Sequence, residues 1–405
     1  MDPCSQPGLM PVDQALERLL AATPVSATVE TVPLLQAAGR VLAEAPLAAV
    51  DVPPADNSAM DGYAVRCADL SDASESRLPV SQRIAAGCAP QPLQPGTAAR
   101  IFTGAEIPPG ADAVVMQEQV RRDGNAVWLP AGVRAQQNIR PRGQDLRQGR
   151  PVLAAGRRLQ PADLGVLASV GLAGVPVYRP LKVAVLSTGD ELVEPGQPLA
   201  AGQIYNSNRY LLAGLLAGLG MQLVDLGRVA DTADATEQAL RQAAEQADLI
   251  ISTGGVSVGE EDHVKAAVER LGALELWRIA IKPGKPLAYG QVCGVPFFGL
   301  PGNPASALIT FWLFTRPCLL KQQGAAPEPP LRMTAQAGFS RSKPIVRQEY
   351  LRARLEDGVV QPHGNQSSGM LSSAAWANGL AVIPANSQLV EGEPVEFIPF
   401  SELLV

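Results

Sequence analysis

LKVAVLSTGDEL, residues 181–192, opens as an unbroken apolar run and ends in a glycine turn followed by two acids. A strand apolar on both faces belongs inside a sheet covered on both sides. Outward from it the same alternation repeats. A helical stretch at about 206–219 leads to QLVDLG (222–227), a second at 234–246 to DLIIS (248–252) and TGGVSVG (253–259), and a third at 262–271 to WRIAI (277–281). PLAYGQ (286–291) and VPFFGL (295–300) follow, then a helix from about Pro304. Short buried strands alternating with helices predict a mostly parallel, three-layer α/β domain.

The flanking regions differ. Residues 51–150 are rich in turns (DVPPADNSAMDG, AAGCAPQPLQPG, TGAEIPPGADA) with short apolar stretches between them, the texture of a small β-rich domain. Residues 11–22 predict a helix with Val12, Ala15, Leu16, Leu19 and Leu20 on one face, and 160–171 a second, opened by Pro161 and closed by Gly171. After Pro330 come YLRARL, VVQPH, AVIPA and PVEFIPF, which predict a C-terminal β domain, a barrel or sandwich, with Lys321–Pro330 as the linker before it.

The chain has 405 residues, 39 acids against 33 Lys and Arg, and a net charge of −6. That length predicts several domains. The acidic balance and the 4% aromatic content argue against nucleic acid as a partner. MDPCSQPGLM lacks the pattern of a signal peptide, and the longest apolar run, Ala305 to Phe314, closed by Arg316 and Pro317, is too short to span a membrane. Five scattered cysteines form no CxxC pair, so free thiols in a reducing, cytoplasmic setting are expected.

In an open α/β sheet ligands bind beyond the carboxyl ends of the strands. Four loops fall there: Ser187-Thr188-Gly189-Asp190-Glu191, Thr253-Gly254-Gly255-Val256-Ser257-Val258-Gly259 with Glu260, Glu261 and Asp262, Lys282-Pro283-Gly284-Lys285-Pro286, and Pro301-Gly302-Asn303-Pro304. Singly each reads as a turn, a helix start or an exposed loop, with Asn303 a plain N-cap. Together they suit a phosphorylated ligand. Glycines admit backbone N–H groups to phosphate oxygens, lysines supply countercharge, and the acids make sense if Mg²⁺ bridges them to the phosphates. In the N-terminal half, NSAMDGYA (57–64) alone reads as an Asp-Gly hairpin turn before an alternating strand, and NIRPRGQD (138–145) as a solvated basic loop. Neither His263 nor His363 supports a triad or a zinc site.

Seven segments in order, NSAMDGYA (57–64), TGAEIPPGAD (103–112), NIRPRGQD (138–145), STGDEL (187–192), STGGVSVGEEDHV (252–264), IKPGKP (281–286) and GLPGNPAS (299–306), closely resemble the MoeA family of molybdopterin molybdenumtransferases, related to the gephyrin E domain. The resemblance runs from about residue 10 to the C-terminus. It implies an elongated homodimer with four domains: a MogA-like α/β domain (1–27 and 180–326), a small discontinuous domain (28–50 and 146–179), a β-rich insert (51–145) and a C-terminal β domain (327–405). It also implies that molybdate is inserted into adenylated molybdopterin with release of AMP, in a Mg²⁺-dependent step. The cleft would join the α/β domain of one subunit to the insert of the other. MogA-like and other cofactor-assembly proteins are implied as further partners.

Carried over by motif, Asp61, Glu191, Asp231 and Asp262 are the expected catalytic acids, with Glu191 and Asp262 at the metal or the attacking water. Thr103, Arg140 and Asp145 would line the insert's side. Lys282 and Lys285 would hold phosphate or molybdate, Gly254, Gly255 and Ser257 the pterin phosphate, and Pro301, Asn303 and Pro304 the rim beside Ser187, Thr188, Gly189 and Asp190. Arg278 stands where a lysine is expected in bacterial relatives; the charge is kept but the planar fork differs from a point charge. Two other readings remain open: an adenylyltransferase acting on molybdopterin, and a carrier or scaffold that has lost catalysis. A nicotinamide enzyme is disfavoured, since no strand leads into GxGxxG.

Overall fold

A computed structural model describes residues 9–254, 263–284, 286–326 and 328–404. Lys182–Thr188 lies between Gln222–Val229 and Leu249–Thr253, parallel to both, and Val295–Leu300 extends the parallel set beyond Leu249–Thr253. Pro286–Val292 and Gly272–Arg278 then add two antiparallel pairings, which complete a six-stranded sheet. Side chains alternate faces along a strand, and the core divides accordingly. Val183 and Val185 pack with Leu212, Leu216, Leu19 and Phe311 on one face, while Ala184 and Leu186 pack with Leu240, Ala243, Ala267 and Val268 on the other. Each Leu or Val so buried contributes about 1.5–3 kcal/mol. Three layers follow directly: the helices Val12–Ala22, Ser207–Gly218 and Pro304–Thr310 lie on one side, with Ala233–Gln246 and His263–Leu271 on the other.

Arg316 and Pro317 end the apolar run but not the helix. Pro304–Thr310 continues as a π-helical turn, Phe311–Thr315, into Arg316–Gln322. Proline removes a backbone donor and crowds the preceding turn, which a local change of helical pitch accommodates. The expected linker therefore begins after Gln322, not at Lys321. Among the described residues no helix is long and apolar enough to cross a membrane.

Around this layer the chain leaves and returns. Val29–Pro33 pairs antiparallel with Gly174–Tyr178, and isolated bridges join Leu47 to Pro151 and Val52 to Leu146, so two distant stretches form one unit around Leu42, Leu159 and Val177. Between them, six strands form the sheet Ala113–Met116, Gly62–Val65, Ala98–Ile101, Ser76–Ile84, Ala126–Leu129 and Arg121–Asp123. Gly62–Val65 is buried throughout instead of alternating, and Asp61-Gly62 enters it without turning a hairpin. Its first residue must be glycine, because a Cβ there would lie 2.0 Å from the Val115 carbonyl oxygen.

The C-terminal strands Gln348–Glu356, Val359–Pro362, Met333–Ala337, Pro394–Pro399 and Gly379–Ile383 close on themselves through the last pairing with Gln348–Glu356, a barrel with no free edge. Met333–Ala337 is a strand that the apolar pattern does not announce, since four of its five residues retain exposure. The barrel is tied to the α/β layer by Ile281–Lys282, which runs parallel to Gln348–Glu349.

Candidate functional site

Two adjoining cavities open at the carboxyl edge of the parallel strands. One, of about 570 Å³, is lined by Thr188, Glu191, Asn206, Asn208, Thr253 and Pro304, among others. The second, of about 690 Å³, takes in Lys282, Gly284, Pro301, Ser306, Arg347 and Ser367. Gly254, Gly302 and Asn303 belong to both and form the ridge between them.

The first cavity is shaped by strand ends. Ser187 and Thr253 are buried and share a 3.0 Å hydroxyl contact, which locks two adjacent strand termini. Gly254 has φ +87°, and a Cβ there would meet the Thr188 carbonyl oxygen at 2.8 Å, so only glycine lets these loops approach. At Gly189, φ +144°, a Cβ would lie 2.5 Å from the end of the Glu191 side chain, whose carboxylate folds back over the turn at the cavity wall. Asp190 faces solvent, 3.6 Å from Arg228. No helix follows these acids directly, so they do not serve as first-turn dipole partners. Asn303 takes the N-cap position of Pro304–Thr310 without a side-chain capping bond, which leaves its amide at the cavity wall.

The second cavity needs the barrel. Lys282 forms a 2.8 Å ion pair with Glu349, whose side chain is only 4% exposed, so its ammonium is held in place and partly neutralised. Arg347 contributes a buried Nε with no hydrogen-bond partner among the described residues. Behind Gln366–Ser368 sits Arg352, fully buried. Its Nε donates to Ser373 Oγ at 3.0 Å and its Nη2 to the Ser367 carbonyl at 2.9 Å, while Gln366 bonds the Arg352 backbone in both directions. Burial pushes this guanidinium down to about 10. The loop also satisfies a helix end, because Ala305 N–H donates to the Ser368 carbonyl at 2.9 Å.

A separate group forms on the insert. Asn57 pairs with Arg140 and Ser58 with Ile139, and Gly104 N–H donates to the Ser58 carbonyl at 2.8 Å, so the three N-terminal motifs converge. Asp61 Oδ1 accepts two 2.8 Å bonds, from Thr103 N–H and Thr103 Oγ. These bonds, helped by the charge of Arg100, hold its carboxyl below the usual aspartate range. Arg140 is exposed, and so is Asp145, whose N–H donates to the Val52 carbonyl at 2.9 Å. No residue of 51–145 is among those that line either cavity.

Thus Ser187, Thr188, Gly189, Glu191, Gly254, Lys282, Pro301, Asn303 and Pro304 gather at the strand ends, while Asp61, Thr103 and Arg140 gather on the insert. Asp231 follows Gln222–Val229, half-buried, and lines neither cavity. Gly255, Ser257, Asp262 and Lys285 lie outside the described residues, as do Glu260 and Glu261. Arg278 is exposed on its strand, opposite Pro286. Sequence reasoning missed Asn206, Asn208, Arg347, Glu349 and Gln366–Ser368. Asn206 caps Ser207–Gly218, and Asn208 Nδ2 donates to the Gly302 carbonyl at 2.8 Å. Two asparagines at a helix start, and the polar run Gln-Ser-Ser-Gly at 366–369 between the strand segments VVQPH and AVIPA, were the available signals.

Family models match most of the chain: the MoeA N-terminal region (domain I and II) over residues 10–171, a probable molybdopterin binding domain over 184–321, and the MoeA C-terminal region (domain IV) over 334–400. A Haemophilus influenzae protein named molybdopterin molybdenumtransferase is 43% identical over 98% of this chain and all of its own length. A Bacillus subtilis protein of the same name is 34% identical over 97% of this chain and 94% of its own. Among solved structures, the molybdopterin biosynthesis moeA protein of Pyrococcus horikoshii OT3 superposes with a TM-score of 0.85 at 31% identity, covering 96% of this chain and all of that one. With its three regions matched in order and its relatives aligned from end to end, the chain belongs to the MoeA family.

Proposed function

We propose that this protein is a molybdopterin molybdenumtransferase, which inserts molybdate into adenylated molybdopterin with release of AMP and water. The observation that carries the reading is the pair of cavities sharing the Gly254–Gly302–Asn303 ridge, one with a carboxylate at its wall and the other with two cations, Lys282 and Arg347. A phosphoanhydride and an oxyanion repel each other, and a site that brings them together must supply positive charge to each. Lys282 and Arg347 suit the oxyanion, and the strand-end loops, with their glycine-only backbone, suit the phosphates.

Mg²⁺ fits the donor set. Among the described residues no group of three or more His, Cys, Asp or Glu could hold a metal on protein ligands alone. Mg²⁺ instead takes one or two carboxylates together with substrate phosphates. Glu191 would hold it, joined by Asp262, and bound there it would neutralise charge developing on the phosphoanhydride. Glu191 stands at the wall of the first cavity with its carboxylate folded back over Gly189.

The fold is read as four units with the boundaries 1–27 with 180–326, 28–50 with 146–179, 51–145, and 327–405. In a homodimer, Asp61 and Arg140 of the partner subunit would complete the cleft. The absence of any insert residue from the lining of this chain's cavities supports that arrangement. Asp231 would contribute less directly than the other acids. A cytoplasmic setting and contact with other cofactor-assembly proteins complete the reading.

The test is AMP release from adenylated molybdopterin with and without molybdate and Mg²⁺, beside an Asp61→Ala variant. Release that requires molybdate and is lost in the variant is the expected result. Tight binding without release would turn the reading to a carrier, and pyrophosphate made from ATP and molybdopterin would turn it to an adenylyltransferase.

A further inference from the structure

Among the described residues, Asp61 is pinned from one side only. Both Thr103 bonds reach Oδ1, so the direction of the carboxylate depends on how the two backbone segments that carry Asp61 and Thr103 are held together. One side chain spans them. Arg100 Nη1 donates to the Gly62 carbonyl at 2.9 Å, immediately after Asp61. Its Nη2 donates to Gln117 Oε1 at 2.5 Å, and Gln117 N–H in turn donates to the Asp61 carbonyl at 3.0 Å. The same guanidinium stacks on Tyr63 at 5.2 Å and on Phe102, the neighbour of Thr103, at 4.7 Å. Arg83 covers Phe102 as well, at 4.5 Å.

Among the described residues no carboxylate lies within 4.0 Å of the Arg100 guanidinium, so this is not an ordinary ion pair that happens to be nearby. A planar fork that meets two acceptors while its charge sits over two rings is a task for arginine that lysine cannot duplicate.

We propose that Arg100 is the positioning residue of the Asp61 carboxylate, fixing both its direction and the charge it presents to the opposite wall of the cleft. The proposal rests on the transferase reading above, in which Asp61 acts on substrate. Arg100 itself touches no substrate; it acts by holding Gly62, Gln117 and Phe102.

The experiment compares full-length wild type with Arg100→Ala, Arg100→Lys and Gln117→Ala in three measurements. These are single-turnover AMP release, the Kd for adenylated molybdopterin, and the ¹³C carboxyl titration of Asp61, assigned with Asp61→Asn. Melting midpoints identify any variant that fails to fold, and the two milder substitutions cover that case. Arg100→Ala is expected to slow release by about 10- to 100-fold, since small misplacements of a reacting group cost that much, with Kd changed by less than about twofold. The Asp61 titration moves to higher pH as a neighbouring positive charge is lost. Arg100→Lys and Gln117→Ala fall between. Unchanged release and an unchanged Asp61 titration would overturn the proposal, and so would rate and affinity falling together. The functional reading fails separately: wild type would then release no AMP in response to molybdate, or Asp61→Asn would react normally, while the titration would still report whether Arg100 holds Asp61.

Discussion

The strand-end cavities and the insert's Asp61 cluster hold polar residues in opposite ways. At the strand ends, Ser187, Thr188 and Thr253 are buried, and Gly254 is pressed against the neighbouring loop. The barrel adds Glu349 and Arg352 beneath the cavity floor. On the insert, Thr103 and Arg140 are exposed and Asp61 is held by hydrogen bonds at the surface. One half of the candidate machinery is therefore continuous with the hydrophobic core, and the other is mounted on it. Substitutions in the first should cost stability as well as function; substitutions in the second should cost function alone.

Arg352→Ala is the hardest test of the first half. It deletes a fully buried side chain with bonds to Ser373 and Ser367, and urea unfolding should show a loss of about 3 kcal/mol. If stability is unchanged, the barrel does not anchor the cavity. Gly254→Ala comes next, at about 2 kcal/mol, because it combines a left-handed backbone with a 2.8 Å clash against Thr188. Among the described residues, Lys282→Met leaves Glu349 with Arg341 as its one remaining cation, at 3.7 Å. The loss is set at about 1 kcal/mol, since the lysine is 44% exposed and solvent screens the pair. At the small end, Asp61→Asn should leave the melting midpoint where it was while abolishing molybdate-dependent AMP release. A clear drop in melting temperature would erase the contrast between the two halves.

A pH series sharpens it further. The folded carboxyl of Asp61 is held below its ordinary value, chiefly by the Thr103 N–H and hydroxyl. The ionised form is thus favoured in the folded protein, and protonation sets in only as pH falls below the ordinary aspartate range near about 3.9. Thr103→Val keeps the N–H and removes the hydroxyl, so the acid limb of the rate profile should move toward higher pH. An unmoved limb would mean that Asp61 does not set it.

This contrast also explains what the sequence discloses. Apolar strands ending in glycine loops, such as 182–189 and 249–254, betray both their fold and the edge where ligands bind, because period and turn chemistry are local. Asn303 and Glu191 could be placed at that edge for the same reason. Nothing local says that Asn57 pairs with Arg140, more than 80 residues on, or that Asp61 rests on Thr103; only the ordered motifs of a known family join them. The barrel's contribution was silent for a different reason. Arg347 and Glu349 interrupt no pattern, the polar run at 366–369 names no partner, and a buried acid looks like any other until its lysine is found across the chain. The π-helical turn at Phe311–Thr315 was equally hidden, since proline ordinarily marks a helix boundary.

The parallel pairing of Ile281–Lys282 with Gln348–Glu349, and the bond from Ala305 to Ser368, bear on synthesis. Every strand of the α/β sheet has been made once Leu300 is added, and chains fold from the N-terminal side as they emerge. The second cavity still lacks Arg347, the partner of Lys282 and the loop that covers the start of Pro304–Thr310. A growing chain therefore holds a finished sheet with an open, uncompensated lysine at its edge until Glu349 is added, some 50 residues later or about 2–10 s at ordinary elongation rates, and the covering loop comes about 20 residues after that. The capacity to gather two anions arrives late, as a separate event from the folding of the layer that carries it.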